Sequence, residues 1–76
     1  MKLDERSFAV GKTLTQLNVR GLTGASVLAI VRGEENVIMP SASEHLLVGD
    51  ILALVGTREA VNAATLLLKI GQQAAP

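Results

Sequence analysis

Two short, uncharged apolar runs constrain the fold of this chain most strongly. The first lies in SVLAIVR, residues 26–32, and the second is ILALVG, residues 51–56. Each run has the length of a β-strand, and the first is rich in β-branched side chains, which favour strands. Both are far shorter than the roughly 20 apolar residues that a membrane span needs. The sequence therefore predicts two strands at the centre of a small sheet.

The segment after the first run predicts a β-hairpin. GEEN, residues 33–36, carries turn-forming residues, and the apolar VIM follows it. A four-residue connection between two apolar runs is typical of a hairpin. Pro40 cannot donate a hydrogen bond to a sheet ladder, so it ends the second strand or leaves it on an edge. Further along, Gly49-Asp50 is a strong turn signal directly before the last strand.

The first third of the chain predicts less regular structure. SFAVG, residues 7–11, is typical of a short extended segment that ends at Gly11, and KTLTQLNV, residues 12–19, predicts a short helix with Thr13 as its N-cap. RGLTGA, residues 20–25, has two glycines within four positions and predicts a loop.

The last helix is the longest predicted element. Thr57 is a candidate N-cap, REAVNAATLLLKI follows over residues 58–70, and Gly71 suits the position after a helix. A helix on the surface of a domain needs only one apolar stripe. This helix has two, so we expect it to pack between its own sheet and a second partner. The stripes are Val61, Ala64, Thr65 and Leu68 on one side and Ala63, Leu66, Leu67 and Ile70 on the other.

Together these elements predict an α+β fold with a small, largely antiparallel β-sheet, a short helix after the first strand and a C-terminal helix. We expect one domain over residues 1–76, with its core at residues 7–70 and a flexible tail at residues 71–76. A chain of 76 residues that is 49% hydrophobic buries only about 60% of its unfolded surface when it folds alone. A symmetric homodimer would bury more of it, and we expect one.

Charge and composition exclude several classes of partner. Seven basic and seven acidic residues cancel, and Phe8 is the single aromatic residue. Nucleic-acid binders carry a basic face or aromatic stacking platforms, so we expect no nucleic-acid partner. The absence of cysteine fits a reducing cytoplasm, and the charged N-terminus is unlike a secretory signal.

The tripeptide Gly11-Lys12-Thr13 resembles the end of a phosphate-binding P-loop, but the rest of the motif is missing. The motif needs a glycine five positions before the Gly-Lys pair, and Arg6 stands there. The tripeptide is better explained as a turn that leads into a capped helix. The chain therefore lacks the arch of amides that would hold a nucleoside triphosphate for hydrolysis.

No group of residues predicts catalysis or a metal site. His45 is the only histidine and has no second nitrogen or sulfur ligand nearby, so we expect a solvated histidine or one at the rim of a ligand site. Glu34 and Glu35 share a turn that supplies no pocket to separate their pKa values. Ser41 and Ser43 have no neighbouring base. We therefore expect no enzyme, no catalytic residue and no metal ligand.

Arg32 is the best candidate for ligand contact that the residues themselves offer. It ends an apolar strand directly before the hairpin turn, with Asn36 on the other side of that turn. An arginine held there presents a planar fork to a carboxylate or a phosphate. A surface salt bridge to Glu34 or Glu35 explains the same position equally well, and both interpretations remain open.

An ordered set of motifs across residues 7–68 resembles the TrkA-C domain, the C-terminal part of the RCK (regulator of potassium conductance) module. The set comprises the Gly-Lys-Thr-Leu start, the pair Thr23-Gly24, the VLAIVR strand, the proline after the hairpin, LLVGD at residues 46–50, and ALVG before a helix. The segments RGLTGASVLAIVRG and GDILALVGTREAV are most similar to the domain that ends Kef-type monovalent cation:proton antiporters.

The resemblance implies a cytoplasmic, dimerising regulatory domain that senses a ligand for a potassium or other monovalent cation transporter. The membrane-embedded transporter would be part of the same chain or a separate subunit, which associates the domain with the membrane. No cofactor is certain, but cyclic di-AMP or another adenine nucleotide is an implied ligand across the paired hairpins. The implied ligand-binding residues are Ile30, Val31, Arg32, Asn36, Val37, Ile38, Met39, Pro40 and His45.

One position departs from the family pattern. Many members have an asparagine directly before the proline, where this chain has Met39, and Asn36 would have to supply the missing amide. The alternative implied function is a structural dimerisation module of the transporter that binds no small molecule.

Overall fold

A three-stranded antiparallel sheet with helices on one face forms the domain. The computed structural model describes residues 1–34 and 36–71. The strand order is β2-β1-β3. The elements in chain order are α1 (Leu14–Leu17), α2 (Val19–Thr23), β1 (Ser26–Arg32), β2 (Asn36–Ile38), β3 (Ile51–Val55) and α3 (Arg58–Ile70). The predicted α+β class with its small antiparallel sheet is confirmed.

The sheet register separates an inner face from an outer face. Ile30 pairs with Ile38 of β2 and with Leu52 of β3, so these three side chains share one face. Ile30 and Leu52 are buried, and Ile38 packs against the same core. This inner face points toward the helices. The register shifts between Val27 and Ala29, which marks a local irregularity in the first half of β1.

Two short helices precede the sheet where the sequence predicted one helix and a loop. Thr13 caps α1 as predicted, because its hydroxyl accepts from the N–H of Gln16 while the Gln16 side chain accepts from the N–H of Thr13. Asn18 then adopts a left-handed conformation (φ 50°) and ends α1. The prediction of a loop at residues 20–25 was wrong for most of that range, since α2 resumes directly after Asn18.

Helix α3 agrees with its prediction at both ends. The Thr57 hydroxyl accepts from the N–H of Ala60, and the N–H of Gly71 donates to the carbonyl of Leu67. One side of the helix is buried in the domain, through Ala60, Ala64, Leu67 and Leu68. On the other side, Leu66 is 59% exposed and Ile70 is 54% exposed. The second apolar stripe is therefore open at Leu66 and Ile70 in the single chain, whereas Leu67 of the same stripe is buried.

Residues 7–11 are not the extended segment that the sequence predicted. They form consecutive turns, in which the N–H of Val10 donates to the carbonyl of Ser7. The N–H groups of Phe8 and Ala9 donate to the carbonyls of Lys69 and Leu68. These bonds satisfy carbonyls at the C-terminus of α3 that have no partner within the helix. Residues 7–11 therefore cap the C-terminus of α3 and do not form the predicted strand.

Three further boundaries differ from the prediction. Arg32 pairs with Asn36, which leaves three residues between the strands of the hairpin and not four. The core begins before residue 7, because Leu3 is fully buried and Lys2 bridges to Ile51. Gly71 is buried, so it belongs to the folded domain, and residues 72–76 of the predicted tail lie outside the described residues.

None of the helices in the described part of the chain is long and apolar enough to cross a bilayer.

Candidate functional site

The guanidinium of Arg32 is the centre of a charged cluster at the end of β1. Its Nε and Nη2 donate to the two carboxylate oxygens of Asp50 at 2.9 and 2.8 Å. Its Nη1 donates to the carboxylate of Glu44 at 3.3 Å, and Nη2 also donates to the carbonyl of His45 at 2.9 Å. The side-on pair with Asp50 is the two-point geometry that arginine and a carboxylate form best.

Asp50 is the buried member of this cluster. Its side chain is 1% exposed and also accepts from the N–H of Leu47 at 2.9 Å. Gly49 allows the preceding turn because its φ is +89°, a conformation that side chains disfavour. Hydrogen bonds from Arg32, and to a smaller degree the N–H of Leu47, hold the pKa of Asp50 below its ordinary value although burial acts in the opposite direction. The hydrogen bond to Asp50 likewise raises the pKa of Arg32.

Glu44 and His45 lie on a segment that is itself held in place by backbone pairing. The N–H of Gly11 donates to the carbonyl of Leu46, and the N–H of Leu46 donates to the carbonyl of Lys12. Residues 41–46 therefore run along residues 11–15 and carry the partners of Arg32 to the sheet. The GKT tripeptide contributes to this pairing, which confirms that it has a structural explanation.

Arg32 does form salt bridges, but with partners that the sequence did not suggest. Within the described residues Arg32 pairs with Asp50 and Glu44, and not with Glu34. Glu35, the other predicted partner, lies outside those residues. Asp50 was predicted only as part of a turn, because its position 18 residues away gave no sequence signal that it would meet the arginine.

The hairpin divides the predicted ligand-binding residues between the two faces of the sheet. The pair Arg32 and Asn36 lies on the same face as the pair Ile30 and Ile38. Ile30 is fully buried in the core, so the structure does not offer it to a ligand, and this part of the predicted site is wrong for the single chain. The physical reason is that Ile30 fills the contact between β1 and the helices.

Among the other predicted residues, Ile38 packs against the core, and the rest lie wholly or partly at the surface. Val31 and Val37 pair with each other on the outer face. Val37 is 66% and Met39 is 73% exposed, Pro40 is half-buried, and His45 is exposed. This gives an apolar patch on the outer face, whereas the arginine and the histidine backbone meet on the inner side.

A depression of about 300 Å³ beside the start of β1 was not predicted from the sequence. Its wall is mainly apolar, and Arg20 adds a positive charge. No sequence motif marked it, because it forms only when α1, α2, β1 and the segment after the hairpin come together. It is lined by Leu14, Thr15, Asn18, Val19, Arg20, Ala25, Ser26, Val27 and Ala42.

The depression and the Arg32 cluster share one connecting segment. Ala42 lines the depression, and the carbonyl of His45 accepts from Arg32. The two sites nevertheless lie at opposite ends of β1, since Ser26 lines the depression and Arg32 ends the strand, about 20 Å further along it. No three histidine, aspartate or glutamate side chains in residues 1–34 and 36–71 group as metal ligands.

Comparisons with known proteins agree with this fold. The chain resembles the RCK C domain of the potassium transport protein KtrA, solved in complex with cyclic diadenosine monophosphate (c-di-AMP), at 32% identity and a TM-score of 0.72 over 83% of this chain and 72% of that one. It also resembles the RCK_C domain dimer of S. agalactiae BusR in complex with c-di-AMP, at 26% identity and a TM-score of 0.73 over 90% of this chain and 88% of that one.

In a second BusR structure, the matching domain is part of a longer chain. The chain covers 33% of BusR in the complex with its busAB-promotor DNA, at 26% identity and a TM-score of 0.73. No curated protein matches the chain. The family model of the TrkA-C domain matches residues 1–69. With that match over nearly its whole length, this chain belongs to the TrkA-C domain family.

Proposed function

We propose that this chain is a dimerising regulatory domain for monovalent cation transport that binds c-di-AMP or another adenine nucleotide. The observation that carries the proposal is the likeness to two RCK C domains that were solved with c-di-AMP, at 32% and 26% identity. One of these domains comes from a potassium transport protein. The other is a dimer.

The local chemistry supports a nucleotide ligand. The Arg32 side chain is 26% exposed, and its guanidinium is held by Asp50 and faces the segment around His45. Nη1 of this fixed arginine lies outside the pair with Asp50 and can donate to a phosphate, and the apolar wall of the depression suits a purine.

Exposed apolar surface supports a dimer. Val37, Met39 and Val55 are exposed on or beside the sheet, at 66%, 73% and 49%. Leu66 and Ile70 are exposed on α3. A domain of this size gains stability by covering such surface, and a second copy of the same chain is the simplest partner.

The finer assignment follows from the sequence resemblance. We propose a cytoplasmic domain of a Kef-type cation:proton antiporter, on the same chain as the membrane-embedded transporter or on a separate subunit. Ligand binding would favour one arrangement of the dimer, and the transporter would respond to that bias. The balanced charge of the chain supports a role without direct nucleic-acid contact, and we propose a binding function without catalysis.

The alternative is a structural dimerisation module without a ligand. The observation that favours it is that Asp50, Glu44 and the carbonyl of His45 already occupy four N–H···O contacts of Arg32. In that case the arginine serves only to fasten the hairpin to residues 44–50.

Thermal unfolding and calorimetric titration with c-di-AMP, AMP, ADP, ATP and NADH separate the two functions. A ligand whose free concentration is 100 times its Kd stabilises the folded protein by about 2.7 kcal/mol. Arg32→Lys keeps the charge but loses the planar guanidinium that Asp50 holds in place, so we expect at least a tenfold rise in Kd. Arg58→Lys, at the exposed start of α3, is the matched control and should bind as the native chain does.

Two outcomes decide between the functions. Binding that is lost in Arg32→Lys and kept in Arg58→Lys supports the sensor. A protein that is dimeric by light scattering, yet is stabilised by none of these compounds, is the structural module.

A further inference from the structure

The depression beside the start of β1 is bounded by segments that hold one another in place. Thr15 donates twice to the carbonyl of Ala42, through its hydroxyl at 2.9 Å and through its backbone N–H at 3.0 Å. The Thr23 hydroxyl donates to the carbonyl of Val19 at 2.7 Å and accepts from the N–H of Ala25 at 3.1 Å. The depression is therefore already formed in the single chain, as small-molecule sites usually are.

Asn18 contributes an amide group that the fold leaves available. Asn18 lines the depression and is exposed, and its side chain makes no capping hydrogen bond to α2. Gly21 makes room for this amide, because a Cβ at position 21 would collide with Asn18 Oδ1 and would lie 2.7 Å from Nδ2. Gly21 lies inside α2 with a negative φ, so the backbone itself does not require glycine there.

Arg20 supplies the charge of the depression. Among the described residues that line it, Arg20 alone is ionisable, and it is exposed. Within residues 1–34 and 36–71 no carboxylate pairs with Arg20, since both ion pairs found there belong to Arg32. The guanidinium of Arg20 is therefore available to an anion, and its planar fork matches a carboxylate.

The size and the wall of the depression favour a small ligand with an apolar body. Leu14, Val19 and Val27 form an aliphatic wall around a volume of about 300 Å³. At about 30 Å³ for each water-sized group, this volume holds about ten non-hydrogen atoms. A whole nucleotide is larger. A ligand of this size cannot reach Arg32, which lies about 20 Å further along β1.

We propose that the depression is a second ligand site, which binds a small organic carboxylate with an apolar body. Arg20 pairs with the carboxylate, the NH₂ group of Asn18 donates to it, and the aliphatic wall covers the apolar body. This inference goes beyond the proposed nucleotide function. The two share only the aliphatic wall, because the cation of this second site is Arg20 and not Arg32.

Benzoate and benzamide test the site, because they have nearly the same size and shape but differ in charge. Each is titrated into the native chain at low salt and followed by amide shifts, which should be confined to α1, α2, the start of β1 and Ala42. We expect benzoate to bind with a Kd of about 1–10 mM, as its size allows. Benzamide should bind about fivefold more weakly, which is the share of one exposed ion pair. Added salt should reduce this difference by screening.

Two variants separate the role of the charge from that of the amide. Arg20→Gln should bind benzoate no more tightly than benzamide, whereas Arg58→Gln, at the exposed start of α3, should keep the fivefold difference. Gly21→Ala displaces the Asn18 amide and should weaken benzoate binding about threefold. It should not lower the melting temperature, because alanine favours a helix more than glycine does. Weaker binding by a chain that is at least as stable cannot result from unfolding.

The inference is overturned if benzoate shifts no amide of the depression, or if the native chain binds benzoate and benzamide equally. It is also overturned if Arg20→Gln or Gly21→Ala binds benzoate as tightly as the native chain does. Failure of the proposed function is seen separately, because the nucleotide titrations with Arg32→Lys concern the other end of β1. Either site can therefore be refuted while the other stands.

Discussion

Replacing Asp50 with asparagine should destabilise the domain strongly, although the two side chains have nearly the same shape. The carboxylate accepts from Arg32 Nε at 2.9 Å, from Arg32 Nη2 at 2.8 Å and from the N–H of Leu47 at 2.9 Å. Asparagine has one acceptor oxygen, and its NH₂ group would face a donor. At least one of these three bonds is therefore lost, and the arginine loses its main counter-charge.

The magnitude follows from the burial of the pair. Removing one member of a buried ion pair costs about 3–5 kcal/mol because the remaining charge stays uncompensated. Arg32 is 26% exposed and keeps Glu44, so water and the second carboxylate relieve part of that cost. We expect a loss near the lower limit, about 3 kcal/mol. That is a large share of the roughly 4–11 kcal/mol that about 0.05–0.15 kcal/mol per residue gives for a domain of this length.

The ion pair of Arg32 and Asp50 also makes this loss of unfolding free energy depend on pH. The pKa of Asp50 is lower in the folded chain than its ordinary value, which is about 3.9 in unfolded chains. Its stabilising contribution is therefore fully present above the unfolded pKa and is lost as the pH falls through the folded pKa. The difference in unfolding free energy between the native chain and Asp50→Asn should be constant near neutral pH and should shrink below about pH 4.

Urea unfolding measures the effect. The protein concentration is kept the same for all variants, because the stability of a dimer depends on it. Asp4→Asn is the matched control, since Asp4 is exposed and its replacement should cost about 0.5 kcal/mol or less. The reasoning is refuted if Asp50→Asn and Asp4→Asn are equally stable, or if their difference does not change between pH 7 and pH 3.

Two further substitutions test the helices. Thr57→Ala should cost about 1 kcal/mol in urea unfolding, because it removes the oxygen that accepts from the N–H of Ala60, and Thr57→Ser should restore most of it; equal stability of both variants would contradict the cap. Leu68→Ala should lower the unfolding free energy by about 3–4 kcal/mol, because Leu68 is fully buried. Leu66 is 59% exposed, so Leu66→Ala should lower the stability of the monomer much less. A larger loss for Leu66→Ala is expected only if the dimer interface covers Leu66.

The elements with strong local signals were predictable from the sequence. Thr57 and Gly71 stand at opposite ends of an apolar run, and capping chemistry is decided within a few residues of such ends. The three strands likewise follow from apolar runs between turn residues. The same local logic failed at α2, where Asn18 in a left-handed conformation ends one helix and begins another without a proline or glycine to mark the place.

The candidate site depended on contacts that no local pattern contains. Arg32 was identified from its position at a strand end, but its partner Asp50 lies 18 residues away and was predicted only to form a turn. The pairing of residues 41–46 with residues 11–15 brings Glu44 to the arginine. Ile30 was assigned to the ligand site because the residues around it match the family pattern. The strand period, once the register is known, instead places it in the core.

The pairing of the first residues with β3 has a consequence for solubility. Lys2 bridges to Ile51, and the N–H groups of Leu3 and Leu52 donate to the carbonyls of Asp50 and Met1. These bonds cover part of the free edge of the sheet, since β3 is its last strand. Unpaired edges of apolar strands recruit strands from other molecules. A chain that lacks its first three residues should therefore form intermolecular β-aggregates, which light scattering would detect, even where α3 and its caps are intact.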